Sequence, residues 1–435
     1  MISVGYEYTG RMADSTILGA GVAKIDGLAV FVNGAAAEEV CRFKITEVKK
    51  NFAFAELVEI IEDSPYRVPS DCPLSDRCGG CTLRHVTSEY ESEIKKNTVK
   101  GAFRKAGLSD KSVAEVLTPS VERYRNNVQL HFGADGTFGF YEEESSKVCP
   151  LNSDGCVVIP EIFYSIGKTV SVFLRTNALP YPERLSLRQS QGGDVCAALS
   201  FTNTVPDIAK LAEAVMNSFT SVTGVVAKAS DEKHYSTVRG ERYIETSLMG
   251  LKFRVSPEAF FQVNYEGAAL LFAKVIEYAD RCSFTYCADL YCGTGVIGII
   301  LASRFTDARF TGVEINPEAT EDAKRNAKLN NIGNIDFYCG DAGKFAAKES
   351  PELVVVDPPR RGLSDSMINV ITEISPENVI YVSCNPFTLA RDLKKLCDFG
   401  YKIYEATPIN MFPRSGHVEC VVSLTRTFDD ELPTA

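Results

Sequence analysis

Residues 289–298 read DLYCGTGVIG, and this stretch indicates the fold of the C-terminal part of the chain. An apolar run leads into two closely spaced glycines, Gly293 and Gly295, and a helical pattern follows them. The pattern predicts a strand, a tight turn and a helix. Glycines at such a turn let the backbone bend sharply and approach a ligand without side-chain obstruction.

Further short apolar runs follow the same scheme. RFTGVEI (309–315), LVVVDPP (353–359) and VIYVSC (379–384) alternate with helical segments such as PEATEDAKRNAKLNN (317–331). Near-continuous apolar runs of this length are typical of parallel strands that are covered by helices on both faces. We therefore predict a doubly wound, Rossmann-like α/β domain over residues 256–435.

Polar or nucleophilic residues stand at the carboxyl ends of these predicted strands. They are Asp289, Glu314, Asp357 and Cys384. Ligands of such sheets bind outside the carboxyl ends of the strands, so we expect the four side chains to face one site. Each residue alone could be a helix cap, a solvated charge or a small core residue. Four together favour a ligand site.

Two cofactors compete for the glycine loop, a nicotinamide dinucleotide and S-adenosylmethionine. Glu314 follows Gly293 by 21 residues and could accept hydrogen bonds from ribose hydroxyls. Asp341 could receive an adenine amino group, and the two prolines after Asp357 would hold that carboxylate on a rigid loop beside the reacting end of the cofactor. The last two features favour the methyl donor.

Composition limits the remaining possibilities. A chain of 435 residues with 45% hydrophobic and 24% charged residues predicts several globular domains. The net charge of −11 argues against coating nucleic acid by bulk attraction. No membrane-length apolar run occurs, and fourteen cysteines favour metal ligands, catalytic thiols or core residues over disulfides, so we expect a cytoplasmic protein without a membrane partner.

The N-terminal part divides at a proline-rich stretch. Residues 1–61 contain short β-rich runs broken by glycine, which predict a small barrel. Residues 62–255 mix helix and strand signals and predict a central α+β domain. Within it Cys72, Cys78 and Cys81 form a compact triplet, and either Cys149 or Cys156 could supply a fourth ligand. The spacing by itself fits four-cysteine zinc as well as an iron-sulfur cluster.

Several short motifs occur together in a familiar order. From residue 256 to 424 they resemble the uracil-5 RNA methyltransferases, in the order FFQVN, DLYCGTG, GVEINPEA, CGDA, DPPRRG, SCNP and MFPRSGHVE. Upstream, GAGVAKIDGLAVFVNGA is similar to the RNA-binding TRAM domain, an OB-like β-barrel, and CPLSDRCGGCTLRH to the iron-sulfur segment of some members. One departure is Arg414, where the family commonly has histidine.

The resemblance implies roles for particular residues. Cys384 would be the nucleophile that adds to carbon 6 of uracil, with a depressed thiol pKa, and Glu419 would be the base that removes the carbon 5 proton. Asp357 would help to hold the cofactor and shape the uracil site. The expected S-adenosylmethionine-binding residues are Gln262, Tyr291, Gly293, Gly295, Glu314, Asp341 and Asp357. The expected ligands of a 4Fe-4S cluster, with structural zinc as the alternative, are Cys72, Cys78, Cys81 and Cys156.

The resemblance also suggests the substrate. We expect methylation of carbon 5 of a uridine in RNA rather than in DNA, with the target base removed from its stack. Because the compact transfer-RNA enzymes resemble only the later segments, 23S ribosomal RNA is the favoured partner. Transfer-RNA uridine-5 methylation, RNA cytosine-5 methylation and a nicotinamide-dependent oxidoreductase are the alternatives, and the oligomeric state stays open. Arg360 and Arg361 could contact phosphate.

Overall fold

The computed structural model describes residues 2–75, 77–143, 145–153, 155–345 and 349–427. The last eight residues of the predicted 256–435 domain therefore lie outside the described residues. Within the described part, three larger sheets and one two-stranded hairpin follow one another along the chain. Helices pack on the second and third sheets.

The first sheet has six strands around an apolar core. Its strands are β1 (Glu7–Arg11), β2 (Asp14–Ser15), β3 (Ala20–Ile25), β4 (Leu28–Asn33), β5 (Val40–Val48) and β6 (Phe52–Glu62). They are arranged in the order β1-β5-β6-β4-β3-β2. Alternate residues such as Val30, Val32 and Phe43 point inward and are fully buried, as expected for strands with one solvent-exposed face.

The second sheet contains seven strands in the order β13-β12-β11-β10-β7-β8-β9. Its strands are β7 (Asn127–Phe132), β8 (Phe138–Tyr141), β9 (Val148–Pro150), β10 (Arg184–Gln189), β11 (Val195–Phe201), β12 (Val222–Ala229) and β13 (Ser236–Gly240). Helices α2 (Glu161–Thr176) and α3 (Ala209–Ser218) pack together beside it. The hairpin β14 (Ile244–Leu248) and β15 (Leu251–Val255) then leads into the third sheet.

The third sheet confirms the predicted α/β fold. Its order is β18-β17-β16-β19-β20-β22-β21, and the first five strands run parallel. The strands are β16 (Tyr286–Leu290), β17 (Arg309–Glu314), β18 (Ile335–Cys339), β19 (Leu353–Val356), β20 (Asn378–Ser383), β21 (Tyr401–Ile409) and β22 (Glu419–Arg426). The helices are α4 (Tyr265–Ala279), α5 (Val296–Arg304), α6 (Pro317–Leu329), α7 (Asp365–Ile374) and α8 (Pro386–Asp398).

Two features of this sheet go beyond the sequence prediction. Strands β21 and β22 form an antiparallel hairpin that adds to the edge of β20. Helix α1 (Ser88–Lys105) precedes the second sheet in the chain, yet its residues Val99 and Phe103 are buried in the core of the third sheet, where α1 packs against α8. Within the described part of the chain, no helix combines the length and apolarity that a membrane span requires.

Candidate active site

Cys384 lies in the one-residue gap between a buried strand and a capped helix. Strand β20 ends at Ser383, and Asn385 is the N-cap of α8, with its side-chain oxygen accepting hydrogen bonds from the Phe387 and Thr388 amides. Pro386 occupies the first helical position, where a missing N–H costs nothing. The half-buried thiol is therefore held at the carboxyl edge of the sheet.

Asp357 and Glu419 are placed beside Cys384 by the strands on either side. Strand β19 pairs with β20 so that Val356 is opposite Tyr381, and Asp357 follows at the same edge. Strand β22 runs antiparallel to β20 and pairs Ser383 with Cys420, so Glu419 begins β22 next to Cys384. Three neighbouring strands thus bring a thiol and two carboxyl groups together.

The pKa values of all three groups are raised above their ordinary values. Burial and the nearby Glu419 raise the pKa of Asp357 to about 8, and burial raises the pKa of Glu419 to about 7. Burial and the two carboxyls raise the pKa of Cys384 to about 11. The prediction of a depressed thiol pKa is therefore wrong for the chain without RNA, because burial of the sulfur, and then the two acidic side chains beside it, disfavour the thiolate.

Arg360 is the cationic partner of this cluster. Its charge lowers the pKa of Glu419 and of Cys384, partly opposing burial. The Asn385 side-chain amide donates to the Arg360 carbonyl over 3.1 Å, which ties the loop after Asp357 to the cap beside Cys384. The guanidinium also lies 3.5 Å from the ring nitrogens of His417. Sequence reasoning missed this contact, since the two residues are 57 positions apart.

The glycine loop is joined to the end of the next strand. The Gly293 amide donates to one Glu314 carboxylate oxygen over 3.1 Å, and the Asn316 amide donates to the other over 2.8 Å. Tyr291, Gly293 and Gly295 all have positive φ, at 69°, 54° and 81°. A non-glycine residue in this region is strained, and such strain concentrates at ligand sites.

Asp341 and Gln262 are two further residues that the sequence analysis assigned to the cofactor. Asp341 is exposed just after β18, and its carboxylate accepts a 2.9 Å hydrogen bond from the Gly343 amide. Gln262 is buried, and its backbone carbonyl accepts a hydrogen bond from the side-chain amide of Asn126, which immediately precedes β7 of the second sheet. Ile315 and Tyr338, which the sequence analysis did not single out, expose 67% and 57% of their surface beside Glu314. Exposed apolar side chains at a ligand edge can cover an adenine ring.

Asp289 does not belong to this edge. It is fully buried, and its carboxylate accepts a 2.8 Å hydrogen bond from the Gly298 amide in the first turn of α5. Burial raises its pKa to about 7. The expectation that Asp289 faces the ligand is wrong: its side chain points under the helix and joins the strand to α5.

The predicted cluster cysteines surround one cavity of about 580 Å³. Its lining includes Cys72, Cys78, Cys81 and Cys156, while Cys149 is buried in β9 and outside the lining. Among the described residues, no three Cys, His, Asp or Glu side chains meet closely enough to bind one metal ion. The thiols therefore share a cavity without forming a compact single-ion site.

Basic and aromatic side chains surround this cavity. Arg84 is 6% exposed, forms an ion pair with Asp71, and interacts with the Cys81 sulfur, which lowers the pKa of that thiol against the larger effect of burial. The Tyr124 hydroxyl lies at the cavity and donates to the Pro413 carbonyl over 3.0 Å. The cysteine cavity is thus directly connected to the segment that precedes Glu419.

Comparison with family models gives three matches along the chain. Residues 14–58 match the TRAM domain, residues 250–378 match a methyltransferase small domain, and residues 347–427 match the tRNA (uracil-5-)-methyltransferase model. The last match includes Asp357, Cys384 and Glu419.

Full-length relatives agree with these matches. An uncharacterized RNA methyltransferase of Bacillus cereus is 36% identical over 95% of both chains, and one of Clostridium acetobutylicum is 34% identical over 94% of this chain and 95% of its own. The chain belongs to the RNA uracil-5 methyltransferase family. It is an S-adenosylmethionine-dependent enzyme, so the nicotinamide reading of the glycine loop is set aside.

A solved structure matches this methyltransferase from end to end. It is the tRNA (uracil-54, C5)-methyltransferase of Pyrococcus abyssi in complex with S-adenosyl-L-homocysteine. The match covers 96% of this chain and 99% of the archaeal one, with a TM-score of 0.79 and 26% identity. Unlike the compact transfer-RNA enzymes, this archaeal enzyme also covers the N-terminal part, so coverage of that part does not by itself distinguish ribosomal from transfer RNA.

Gly295 provides a test of the glycine loop. A Cβ at this position would lie 2.7 Å from Phe337 and 2.9 Å from Ala323, on backbone with φ of 81°. We expect Gly295→Ala to destabilise the fold by about 1–3 kcal/mol and to weaken S-adenosylhomocysteine binding, as measured by thermal unfolding and calorimetry. Gly333→Ala, where a Cβ meets nothing within 4 Å, is the control. Unchanged binding in Gly295→Ala would contradict this expectation.

Proposed function

We propose that this methyltransferase modifies carbon 5 of a uridine in 23S ribosomal RNA through a covalent bond between Cys384 and carbon 6 of the base. The observation that carries the proposal is the convergence of Cys384, Asp357 and Glu419 at the ends of three adjacent strands. A thiol with two carboxyl groups of raised pKa can supply a nucleophile, an acceptor for its proton and a separate base.

The first step requires the Cys384 thiol to lose its proton. Asp357 in its ionised form, which becomes populated as the pH rises through its pKa of about 8, accepts this proton as sulfur adds to carbon 6. The electron pair of the ring double bond moves toward the carbonyl at carbon 4, which makes carbon 5 nucleophilic. S-adenosylmethionine, when bound, supplies the methyl group to carbon 5. Arg360 faces the sulfur and favours its anionic form.

The second step releases the product. Glu419 removes the proton from carbon 5, the double bond re-forms and the carbon–sulfur bond breaks. Sulfur recovers its proton from Asp357, and Glu419 passes the carbon 5 proton to solvent. Glu419 must therefore be ionised at this stage, which its pKa of about 7 permits only near or above neutrality.

This assignment predicts a rising pH profile. The raised pKa means that Glu419 is mainly protonated below pH 7 and gains its base function as the pH rises through about 7. We expect single-turnover product formation to increase from pH 6 to pH 8, with no fall up to pH 9, because the Cys384 pKa of about 11 also favours higher pH. A rate that declines across this range would contradict the assignment. Unfolding curves across the same pH range serve as the control.

We propose that the cofactor lies along the edge defined by the glycine loop. Glu314 would bind its ribose, Asp341 its adenine, and Gln262, Tyr291 and Asp357 its methionine end. One support is the hydrogen bond from the Gly293 amide to Glu314, whose carboxylate is half-buried at the strand end. The other is the exposed apolar surface of Ile315 and Tyr338.

We propose that the cysteine cavity holds a 4Fe-4S cluster bound by Cys72, Cys78, Cys81 and Cys156. The cavity of about 580 Å³ offers room for a multi-atom cluster, whereas a zinc ion, the alternative, draws its sulfurs to about 2.3 Å. The cluster would supply a rigid link among the four cysteines. Anaerobic purification followed by iron, sulfide and zinc assays decides between the two, with Cys81→Ser expected to lose the metal and Cys397→Ser to retain it.

The RNA target rests on the cysteine-rich segment and the barrel. We propose three functional parts: an RNA-binding barrel over residues 1–61, a cysteine-bearing domain over 62–255 and a catalytic domain over 256–435, acting together in the cytoplasm. The cysteine segment resembles that of the family members that carry a cluster, and this segment together with the barrel is the support for 23S RNA. The archaeal neighbour makes transfer RNA the second candidate, because it covers 96% of the chain.

The deciding experiment offers both RNAs to the purified enzyme. Unmodified 23S RNA and unmodified transfer RNA are incubated separately with labelled S-adenosylmethionine, and the label is mapped by nuclease digestion and mass analysis. The proposal predicts 5-methyluridine in the ribosomal RNA. Label only in transfer RNA would replace the proposed substrate, and 5-methylcytidine in either RNA would refute the proposed chemistry.

A further inference from the structure

Helix α1 carries a buried ion pair far from any catalytic residue in sequence. Lys95 and Glu91 are both fully buried, and the lysine ammonium lies 2.8 Å from the glutamate carboxylate. An ion pair at this helical spacing normally lies on a wet surface. Removing two charges from water costs free energy, so a buried pair needs further hydrogen bonds to compensate for that cost.

Those hydrogen bonds go to the segment that precedes Glu419. The Lys95 ammonium donates to the Asn410 side-chain oxygen over 2.5 Å and to the Phe412 carbonyl over 3.1 Å. Glu91 accepts from the Asn410 amide group over 2.9 Å and from the Arg414 backbone amide over 2.8 Å. One buried pair therefore binds residues 410–414 at four points, across more than 310 positions of sequence.

The bound segment leads directly to the catalytic edge. The Phe412 ring contacts the His417 ring edge-to-face, with centroids 5.6 Å apart, and His417 lies 3.5 Å from Arg360. Glu419 follows two residues later as the first residue of β22. Only six residues, 413–418, separate Phe412 from Glu419.

Arg414 strengthens the same attachment. It has a positive φ of 69°, a strained conformation for arginine, and its guanidinium donates to the Val86 carbonyl over 2.8 Å while lying 3.7 Å from Glu91. This is the position where the family commonly has histidine. The arginine adds a cation to the Glu91–Lys95 pair and fixes the turn of the segment against the chain just before α1.

We propose that Lys95 and Glu91 are positioning residues that hold segment 410–414, and through it place Glu419 for removal of the carbon 5 proton. The inference rests on the proposed function, in which Glu419 acts after the covalent bond has formed. Loss of positioning should therefore impair product release while leaving sulfur addition and methyl transfer intact. A purely structural role would instead reduce every step together with stability.

The experiment uses variants of the full chain. Lys95→Met leaves Glu91 buried without its cation and can fail to fold, so the double variant Glu91→Gln/Lys95→Met is tested beside it. The double variant removes both charges, and its glutamine can still accept from Asn410 and Arg414. Lys105→Met, on the exposed end of α1, is the matched control. Thermal unfolding and S-adenosylhomocysteine binding confirm that each variant is folded.

Two quantities are measured with methylatable RNA: free 5-methyluridine product and protein–RNA adduct that survives denaturing electrophoresis. We expect the double variant to form product about 100-fold more slowly and to accumulate methylated adduct, while Lys105→Met behaves as wild type.

Wild-type turnover in the double variant, or equal loss of adduct and product, would overturn the proposal. Adduct in Glu419→Gln but not in the double variant would also overturn it while leaving the proposed function intact. No adduct in Glu419→Gln would overturn the proposal by showing that Glu419 acts before the covalent step, and no 5-methyluridine from the wild type would refute the proposed function itself.

Discussion

Replacing Cys384 by alanine is expected to abolish methylation of RNA, reducing the rate by about 10⁴-fold or more. The sulfur is the nucleophile that makes carbon 5 reactive, and the neighbouring Asp357 and Glu419 cannot substitute for it, because both are carboxyls of raised pKa at fixed strand ends. The covalent bond is detected with RNA that contains 5-fluorouridine, since fluorine at carbon 5 prevents its release. Wild-type enzyme should become trapped on this RNA in the presence of S-adenosylmethionine, and Cys384→Ala should not.

Cys397→Ala is the matched control for this experiment. Its thiol lies in the last turn of α8, partly buried, and takes no part in the strand-end cluster. Both variants should unfold near the wild-type temperature and bind S-adenosylhomocysteine normally. Wild-type product from Cys384→Ala would show that another group attacks the base, and trapping through a different residue would show which one.

Replacing Glu419 by glutamine is the second large effect that we expect. The change keeps the size of the side chain but removes the base, so addition and methyl transfer proceed while the carbon 5 proton remains. Product formation should fall by about 10²–10⁴-fold, and a methylated covalent complex should accumulate with ordinary RNA. Denaturing electrophoresis of labelled RNA measures the complex, and nucleoside analysis measures the product.

Glu373→Gln, on the exposed side of α7, controls for the loss of one carboxylate. It should match the wild type in both assays. If Glu419→Gln released product at the wild-type rate, the base would have to be Asp357 or a water molecule. If it formed no complex, Glu419 would be needed before the covalent step, for example to accept the proton of Cys384.

The raised pKa of Cys384 could not be predicted from the amino-acid sequence. The motif SCNP places a cysteine between a strand and a helix cap, and the expectation of a depressed pKa follows from the needs of the chemistry. Strand pairing puts two carboxyl groups beside the half-buried sulfur, and partial burial together with these groups raises the thiol pKa, so the thiol is protonated in the resting enzyme. Ionisation then has to accompany attack on the base.

The local elements and the ends of the parallel strands could be predicted from the amino-acid sequence. Apolar runs of four to six residues between helical segments specified buried parallel strands, and the structure adds the N-caps Asn316 and Asn385, each followed by a proline, where α6 and α8 begin. Because ligands bind at the carboxyl edge of such a sheet, Glu314, Asp357 and Cys384 could be assigned to one site. These predictions require only interactions between residues that are close in sequence.

Contacts between groups that are distant in sequence depend on how the elements pack together. The antiparallel hairpin of β21 and β22 brings Glu419 next to Cys384, and helix α1 crosses to the third sheet to bury Lys95 and Glu91 against residues 410–414. In the sequence that lysine and glutamate form an ordinary surface pair, and Asp289 resembles a ligand. Burial and charge environment depend on packing between elements hundreds of residues apart, and no local pattern encodes them.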